Sequence, residues 1–211
     1  MSSPAKKVDV VDYGGGNIGS ILRCLDRLGF SYRLTKTPDG KTPLILPGVG
    51  AFGSIMGNLA KLELKDRLRD IVKSGTPYLG ICIGLQVLFE GSEEAPAVEG
   101  LNILPGRVVK FKSSPDNHSA IKIPQIGWNW VQSASEKFKK DGWRNGYVYF
   151  VNSYYPAPEN EASVLYRAAY GESFAAAVQH ENVTAFQFHP EKSGAFGQSM
   201  IDKWHETLAL H

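Results

Sequence analysis

The sequence predicts an α/β fold: a doubly wound, mostly parallel sheet with helices on both faces, extended by antiparallel strands in its second half. Three observations predict it. In the first half, short apolar runs alternate with segments whose apolar residues recur at helical spacing, the rhythm of βαβ units. Glycines cluster just after the apolar runs, where strands turn into helices. From 106 to about 188, aromatic and β-branched residues with frequent turn signals take over, as in antiparallel strands.

The elements follow in order. Residues 8–13 (VDVVDY) read as the first strand. Ile18, Ile21, Leu22, Leu25 and Leu28 then fall on one helical face, closed by Gly29. Residues 32–35 and 44–46 read as further strands, and a single helix is expected over 55–73 with Leu59, Leu62, Leu68 and Ile71 inward. The apolar run from Pro77 to Gln86, which carries Cys82, reads as a buried strand, and 85–90 reads as the helix after it. In the second half, strands are expected at 108–111, 128–131, 147–151, 164–166, 175–178 and 183–186. Residues 112–119 read as an exposed loop, and 194–210 as a closing helix using Met200, Ile201, Trp204 and Leu208.

With 211 residues, a loose tail at 1–7 and one domain over 8–211 are expected, with enough chain for a full core. A hydrophobic fraction of 43% and a charged fraction of 21% are those of a soluble globular protein. The net charge of +2 gives no reason to expect nucleic acid or membrane as a partner. Two cysteines, Cys24 and Cys82, fit a reducing compartment: the cytoplasm, or an organelle such as a plastid. No cysteine or histidine spacing suggests a metal, and no cofactor is expected. The longest apolar stretch, around 78–89, is too short to span a bilayer, and the first residues lack the apolar core of a secretory signal.

Cys82 carries the chemistry. Gly80 and Gly84 bracket it symmetrically, as glycines do where a strand turns sharply into a helix and exposes one nucleophilic side chain. Far downstream, Gln187-Phe-His-Pro-Glu191 offers His189 as a base and Glu191, two residues on, to orient it. The 47–53 loop places three glycines within six residues, and such a loop can turn backbone N–H groups toward an oxyanion. Gly48, Val49 and Gly50, with the amide of Ile83, are the expected donors. Gly14-Gly-Gly-Asn-Ile-Gly19 has the glycine spacing of a dinucleotide fingerprint. Thr35 and Lys36 stand where its acidic residue is required, so a tight turn near a ligand or partner surface is the better reading. Cys24 reads as a passive helix residue. His118, His180, His205 and His211 read as surface or packing, and Lys137, Lys139, Lys140 and Arg144 as a solvated face.

These motifs resemble the class I (triad) glutamine amidotransferases. Gly80-Ile-Cys-Ile-Gly-Leu-Gln86 with the later His-Pro-Glu carries the general likeness. Asp12-Tyr-Gly-Gly-Gly-Asn17, Leu46-Pro-Gly-Val-Gly-Ala-Phe52, Ile126-Gly-Trp-Asn129, Tyr149-Phe-Val-Asn-Ser-Tyr154 and Gln187-Phe-His-Pro-Glu-Lys-Ser-Gly194 carry a finer one. That finer likeness is to the branch that feeds ammonia to a (βα)8-barrel cyclase in histidine biosynthesis. The resemblance spans essentially the whole chain. It implies a flavodoxin-like fold, glutamine as substrate, and hydrolysis to glutamate and ammonia. It also implies a heterodimer with the cyclase, which makes imidazole glycerol phosphate and an aminoimidazole carboxamide nucleotide. It implies that Gln86, Glu94, Ser153 and Tyr154 hold the glutamine, and that Asn17, Trp128, Tyr149 and Lys192 face the cyclase. In that branch, nucleotide on the barrel favours an orientation of the Val49 loop in which the oxyanion hole is formed. Gln125 and Asn152 depart from the pattern, standing where a histidine is common. Three other readings compete. A glutaminase of pyridoxal phosphate synthase is opposed by the Gly-Trp-Asn and His-Pro-Glu-Lys-Ser motifs. A non-catalytic subunit of the same fold is opposed by the intact triad. A thiol hydrolase or peptidase of similar fold is the third.

Overall fold

A computed structural model describes residues 6–112 and 121–208. Residues 1–5 of the expected tail, all but the first residue of the expected 112–119 loop, and His118 and His211 lie outside the described residues. The first strand, β1 (Lys7–Val11), opens one residue before the expected boundary at 8, and Lys6 is tied down by an ion pair with Asp202 at 2.5 Å. Helix α1 (Ile18–Arg27) buries Ile21, Cys24 and Leu25, and β2 (Ser31–Thr35) and β3 (Leu44–Leu46) follow.

The expected helix over 55–73 is two helices, α2 (Phe52–Lys61) and α3 (Leu64–Lys73). The cause is the phase of the apolar residues. Leu59 and Leu64 are both buried, yet a step of five positions falls off one helical face. Glu63, with φ 55°, breaks the helix and re-aims the stripe onto Leu64, Leu68 and Val72, which leaves Leu62 exposed and Ile71 only half-buried.

Strand β4 (Tyr78–Ile81) is buried throughout and runs into a single helical turn, α4 (Ile83–Gln86), shorter than the helix expected over 85–90. Then come β5 (Gly91–Ser92), β6 (Ala95–Glu99) and β7 (Gly106–Lys110). Beyond the undescribed stretch lie β8 (Gln125–Ser133), α5 (Glu136–Lys140), β9 (Gly146–Asn152) and β10 (Tyr154–Pro158). The chain closes with β11 (Val164–Tyr170), β12 (Glu172–His180), β13 (Val183–Phe186) and α6 (Gly194–Thr207).

Among the described residues, nine strands form one sheet in the order β2-β1-β3-β4-β13-β12-β11-β8-β9. From β2 to β13 neighbours are parallel, and from β13 outward they are antiparallel. The second half thus extends the edge of the parallel core and returns β13 to its centre. One face packs α1 and α6 over Val8, Val10, Ile45 and Leu79; the other packs α2 and α3 over Val11, Leu44, Leu46 and Tyr78. Strands β10, β7, β5 and β6 form a separate small sheet. No helix among the described residues is long and apolar enough to cross a membrane.

Candidate active site

Four adjacent parallel strands point their carboxyl ends the same way, and in such sheets ligands bind outside those ends. The loop after β1 carries Tyr13 to Gly16, the loop after β3 carries Pro47 to Gly50, β4 delivers Cys82, and β13 delivers Gln187 to Glu191. Insertion of β13 beside β4 is what brings Cys82 and His189 together across more than a hundred residues. Ile81 pairs with Phe186, and the Cys82 N–H donates to the Phe186 carbonyl at 2.7 Å.

Cys82 adopts φ 53° and ψ −102°, a conformation that costs a non-glycine residue on the order of 1–3 kcal/mol. The surroundings enforce it. A methyl on Gly84 would lie 1.9 Å from the Leu46 carbonyl oxygen, and one on Gly80 would lie 2.5 Å from that of Gly84. The bracketing glycines therefore permit a strand, a turn and a helix to occupy space that side chains would fill.

The side chains of His189 and Glu191 are both buried, and His189 Nδ1 lies 2.8 Å from Glu191 Oε1. Burial pushes the imidazole down, but the neighbouring Cys82 and the hydrogen-bonded carboxylate of Glu191 outweigh it and lift His189 to about 10. Nε2 has no aligned hydrogen-bond partner among the described residues, so the influence of Cys82 on it is one of proximity. A charged imidazole beside a cysteine and oriented by a carboxylate is the arrangement for thiol nucleophilic catalysis. Cys24 is the contrast: buried in α1, with its thiol pushed up to about 11 by burial first and then by Glu191, it suits packing.

A cavity of about 260 Å³ opens beside the nucleophile, lined by Val49, Gly50, Cys82, Ile83, Gln86, Glu94, Ser153 and Tyr154 among others. Every expected glutamine-binding residue lies there. Of the expected oxyanion donors, Val49, Gly50 and Ile83 line it, while Gly48 does not: it sits against the Tyr13 hydroxyl, which a Cβ there would meet at 1.7 Å. Glu94 accepts the Phe52 N–H at 2.7 Å, tying the end of the loop to the cavity wall. Gln86 donates Nε2 to the Tyr154 carbonyl at 3.2 Å and to Gln187 Oε1 at 3.0 Å. Larger cavities elsewhere, such as one of about 540 Å³ beside Trp143 and His180, lack any such grouping of nucleophile and base.

Of the expected partner-facing residues, Asn17, Trp128 and Lys192 are exposed and Tyr149 is half-buried. The Tyr149 backbone accepts the His189 N–H at 2.9 Å and donates to Ser193 Oγ at 2.9 Å, and Ser193 in turn donates to the His189 carbonyl at 2.6 Å. Gln125 and Asn152 face each other across β8 and β9, buried; Asn152 lines the cavity and donates to the Tyr154 carbonyl at 3.0 Å.

Three residues of the site lay beyond sequence reasoning. Tyr13, buried, donates to the Pro47 carbonyl at 3.0 Å; burial and then Cys82 raise its hydroxyl. Gln187 donates to Cys82 Sγ at 3.6 Å. Ser193 fastens the His-Pro-Glu segment to β9. All three fall within the short motifs of the sequence, but only the convergence of the loops gives them roles.

A nucleophile elbow on a parallel sheet, with a buried His-Glu pair delivered by the neighbouring strand, defines a triad amidotransferase, and the family model "Glutamine amidotransferase class-I" matches residues 9–206. The chain is 42% identical over 200 residues to imidazole glycerol phosphate synthase subunit HisH of Geobacillus thermodenitrificans, covering 93% of this chain and 94% of that one. It is 41% identical over 202 residues to imidazole glycerol phosphate synthase hisHF, chloroplastic, of Arabidopsis thaliana, covering 93% of this chain and 33% of that one. The crystal structure of a glutamine amidotransferase superimposes with a TM-score of 0.73 at 19% identity, over 96% of this chain and 99% of that one, a likeness of fold. The chain belongs to the class I glutamine amidotransferases and, within them, to the family of HisH subunits.

Proposed function

We propose that this chain is the glutaminase subunit of an imidazole glycerol phosphate synthase, hydrolysing glutamine and passing the ammonia to a (βα)8-barrel cyclase. The observation that carries the reading is Cys82, held at φ 53° beside the buried His189–Glu191 pair. In the first step, the Cys82 thiolate, whose proton His189 holds, attacks the side-chain carboxamide carbon of glutamine, and the carbonyl oxygen takes the electron pair. The amides of Val49, Gly50 and Ile83 receive that oxyanion. The C–N bond then breaks as the His189 imidazolium gives its proton to the leaving nitrogen, yielding ammonia and a γ-glutamyl thioester. Neutral His189 next takes a proton from water, the hydroxide adds to the thioester, and breaking of the C–S bond releases glutamate. Glu191 orients the ring throughout and stabilises its charged form.

Ammonia released into neutral water becomes ammonium, which is not a nucleophile, so the chemistry favours direct delivery to an acceptor site. The names of the relatives support a cyclase as that acceptor. Asn17, Trp128, Tyr149 and Lys192 are the residues proposed to meet it, and the cytoplasm or a reducing organelle is the proposed location. The test is Cys82→Ala assayed with the cyclase and its nucleotide substrate. Glutamine-dependent synthesis should vanish while synthesis from added ammonium salt persists. Glutamate release at the wild-type rate would overturn the triad assignment.

A further inference from the structure

We infer that Gln187 is a positioning residue for the nucleophile, donating an N–H to the Cys82 sulfur in an orientation imposed by Gln86. The inference deepens the glutaminase reading and rests on it. Gln187 is wholly buried just after β13, where an amide must satisfy its donors and acceptor within the protein. Its Nε2 lies 3.6 Å from Cys82 Sγ, and its Oε1 accepts from Gln86 Nε2 at 3.0 Å.

Donor and acceptor logic fixes both amides. Gln86 Nε2 also reaches the Tyr154 carbonyl at 3.2 Å, and a carbonyl can only accept, so the Gln86 amide cannot be turned round. Its nitrogen therefore requires an oxygen on Gln187, which leaves the Gln187 nitrogen toward the sulfur. A hydrogen bond to a charged acceptor is stronger than one to a neutral acceptor, so this N–H favours the thiolate form of the sulfur over the protonated one. Gln86 and Tyr154 line the substrate cavity, so the relay from Tyr154 through Gln86 and Gln187 connects its wall to the nucleophile. Tyr13, Glu191 and His189 are titratable groups around the sulfur and the base, with Glu94 on the wall of the same cavity, and all four remain in the variants below.

The experiment compares wild type, Gln187→Met and Gln187→Glu as full chains. It measures glutamine turnover with the loaded cyclase, and iodoacetamide alkylation of Cys82 across about pH 5 to 10. Gln187→Met should lower kcat about tenfold or more and leave KM within about threefold. Its alkylation profile should move to higher pH, and that of Gln187→Glu further still, because a carboxylate beside the sulfur repels its charge. Cys82→Ala supplies the background from Cys24. If Gln187→Met melts below assay temperature, Gln187→Asn, which withdraws the nitrogen while remaining polar, should show the same division between kcat and KM. Wild-type kcat with an unmoved profile in the folded variants would overturn the role of Gln187. Inactive wild type beside a moved profile would instead count against the glutaminase reading and leave Gln187 standing.

Discussion

His189 holds its proton against burial because two neighbours outweigh the desolvation: Cys82, and Glu191 at 2.8 Å. The sign of the resulting pH dependence follows from linkage. An ordinary histidine titrates near 6.5 and this one near 10, so the bound proton stabilises the fold fully below about 6.5. That stabilisation is lost as pH rises through about 10. Thermal melts across this window should show Tm falling in the wild type and falling less in His189→Gln. Equal declines in the two proteins would place the titrating group elsewhere. The proposed triad was readable from sequence because Cys82 and its glycines, and His189 and Glu191, each sit within one short motif. Tyr13, Gln187 and Ser193 were not, because each owes its role to a partner brought near by folding: Pro47, Cys82 and Tyr149 respectively.

At the scale of elements, the turn from β4 into α4 depends on the absence of two side chains. Gly84→Ala would drive a methyl to 1.9 Å from the Leu46 carbonyl oxygen, a backbone atom of the neighbouring strand that cannot yield cheaply. The expected cost is about 3 kcal/mol or more, read as a lowered urea midpoint together with lost turnover. Gly57→Ala is the control: on α2, with nothing within 4 Å of the added methyl, it should be neutral or stabilising by up to about 1 kcal/mol. Similar midpoints for the two variants would mean that the elbow can relax. The βαβ half was legible because its apolar periods are strong. The strands β5, β6 and β10 were not. The first has two residues, and the others carry prolines (Pro96, and Pro156 with Pro158) that weaken a strand signal without preventing short edge pairings. The single helix expected over 55–73 failed for a different reason, since a five-position step between buried leucines is a tertiary demand that overrides continuous helical propensity.

Over the whole molecule, the antiparallel extension does two things at once. Its inner face joins the core through Val148 and Phe150, and its outer face leaves Ile126, Trp128, Trp130 and Tyr147 exposed, the indole rings edge-on to Tyr149 and Tyr147. Exposed aromatics gathered on one face are costly in water and are the kind of surface proposed to meet the cyclase. The same hairpin reaches the triad, because the Tyr149 carbonyl accepts the His189 N–H. A cyclase seated on this face would therefore press on a strand that holds His189, the proposed base, which would give partner binding a route to the chemistry. Trp128→Ala tests that placement. Its affinity for the cyclase should fall about tenfold to a hundredfold, the cost of truncating a large aromatic anchor. Alkylation of Cys82 in the isolated chain should stay at the wild-type rate, because Trp128 lies outside the site cavity. Unchanged affinity in a titration would move the interface off this face and remove the hairpin from the coupling route.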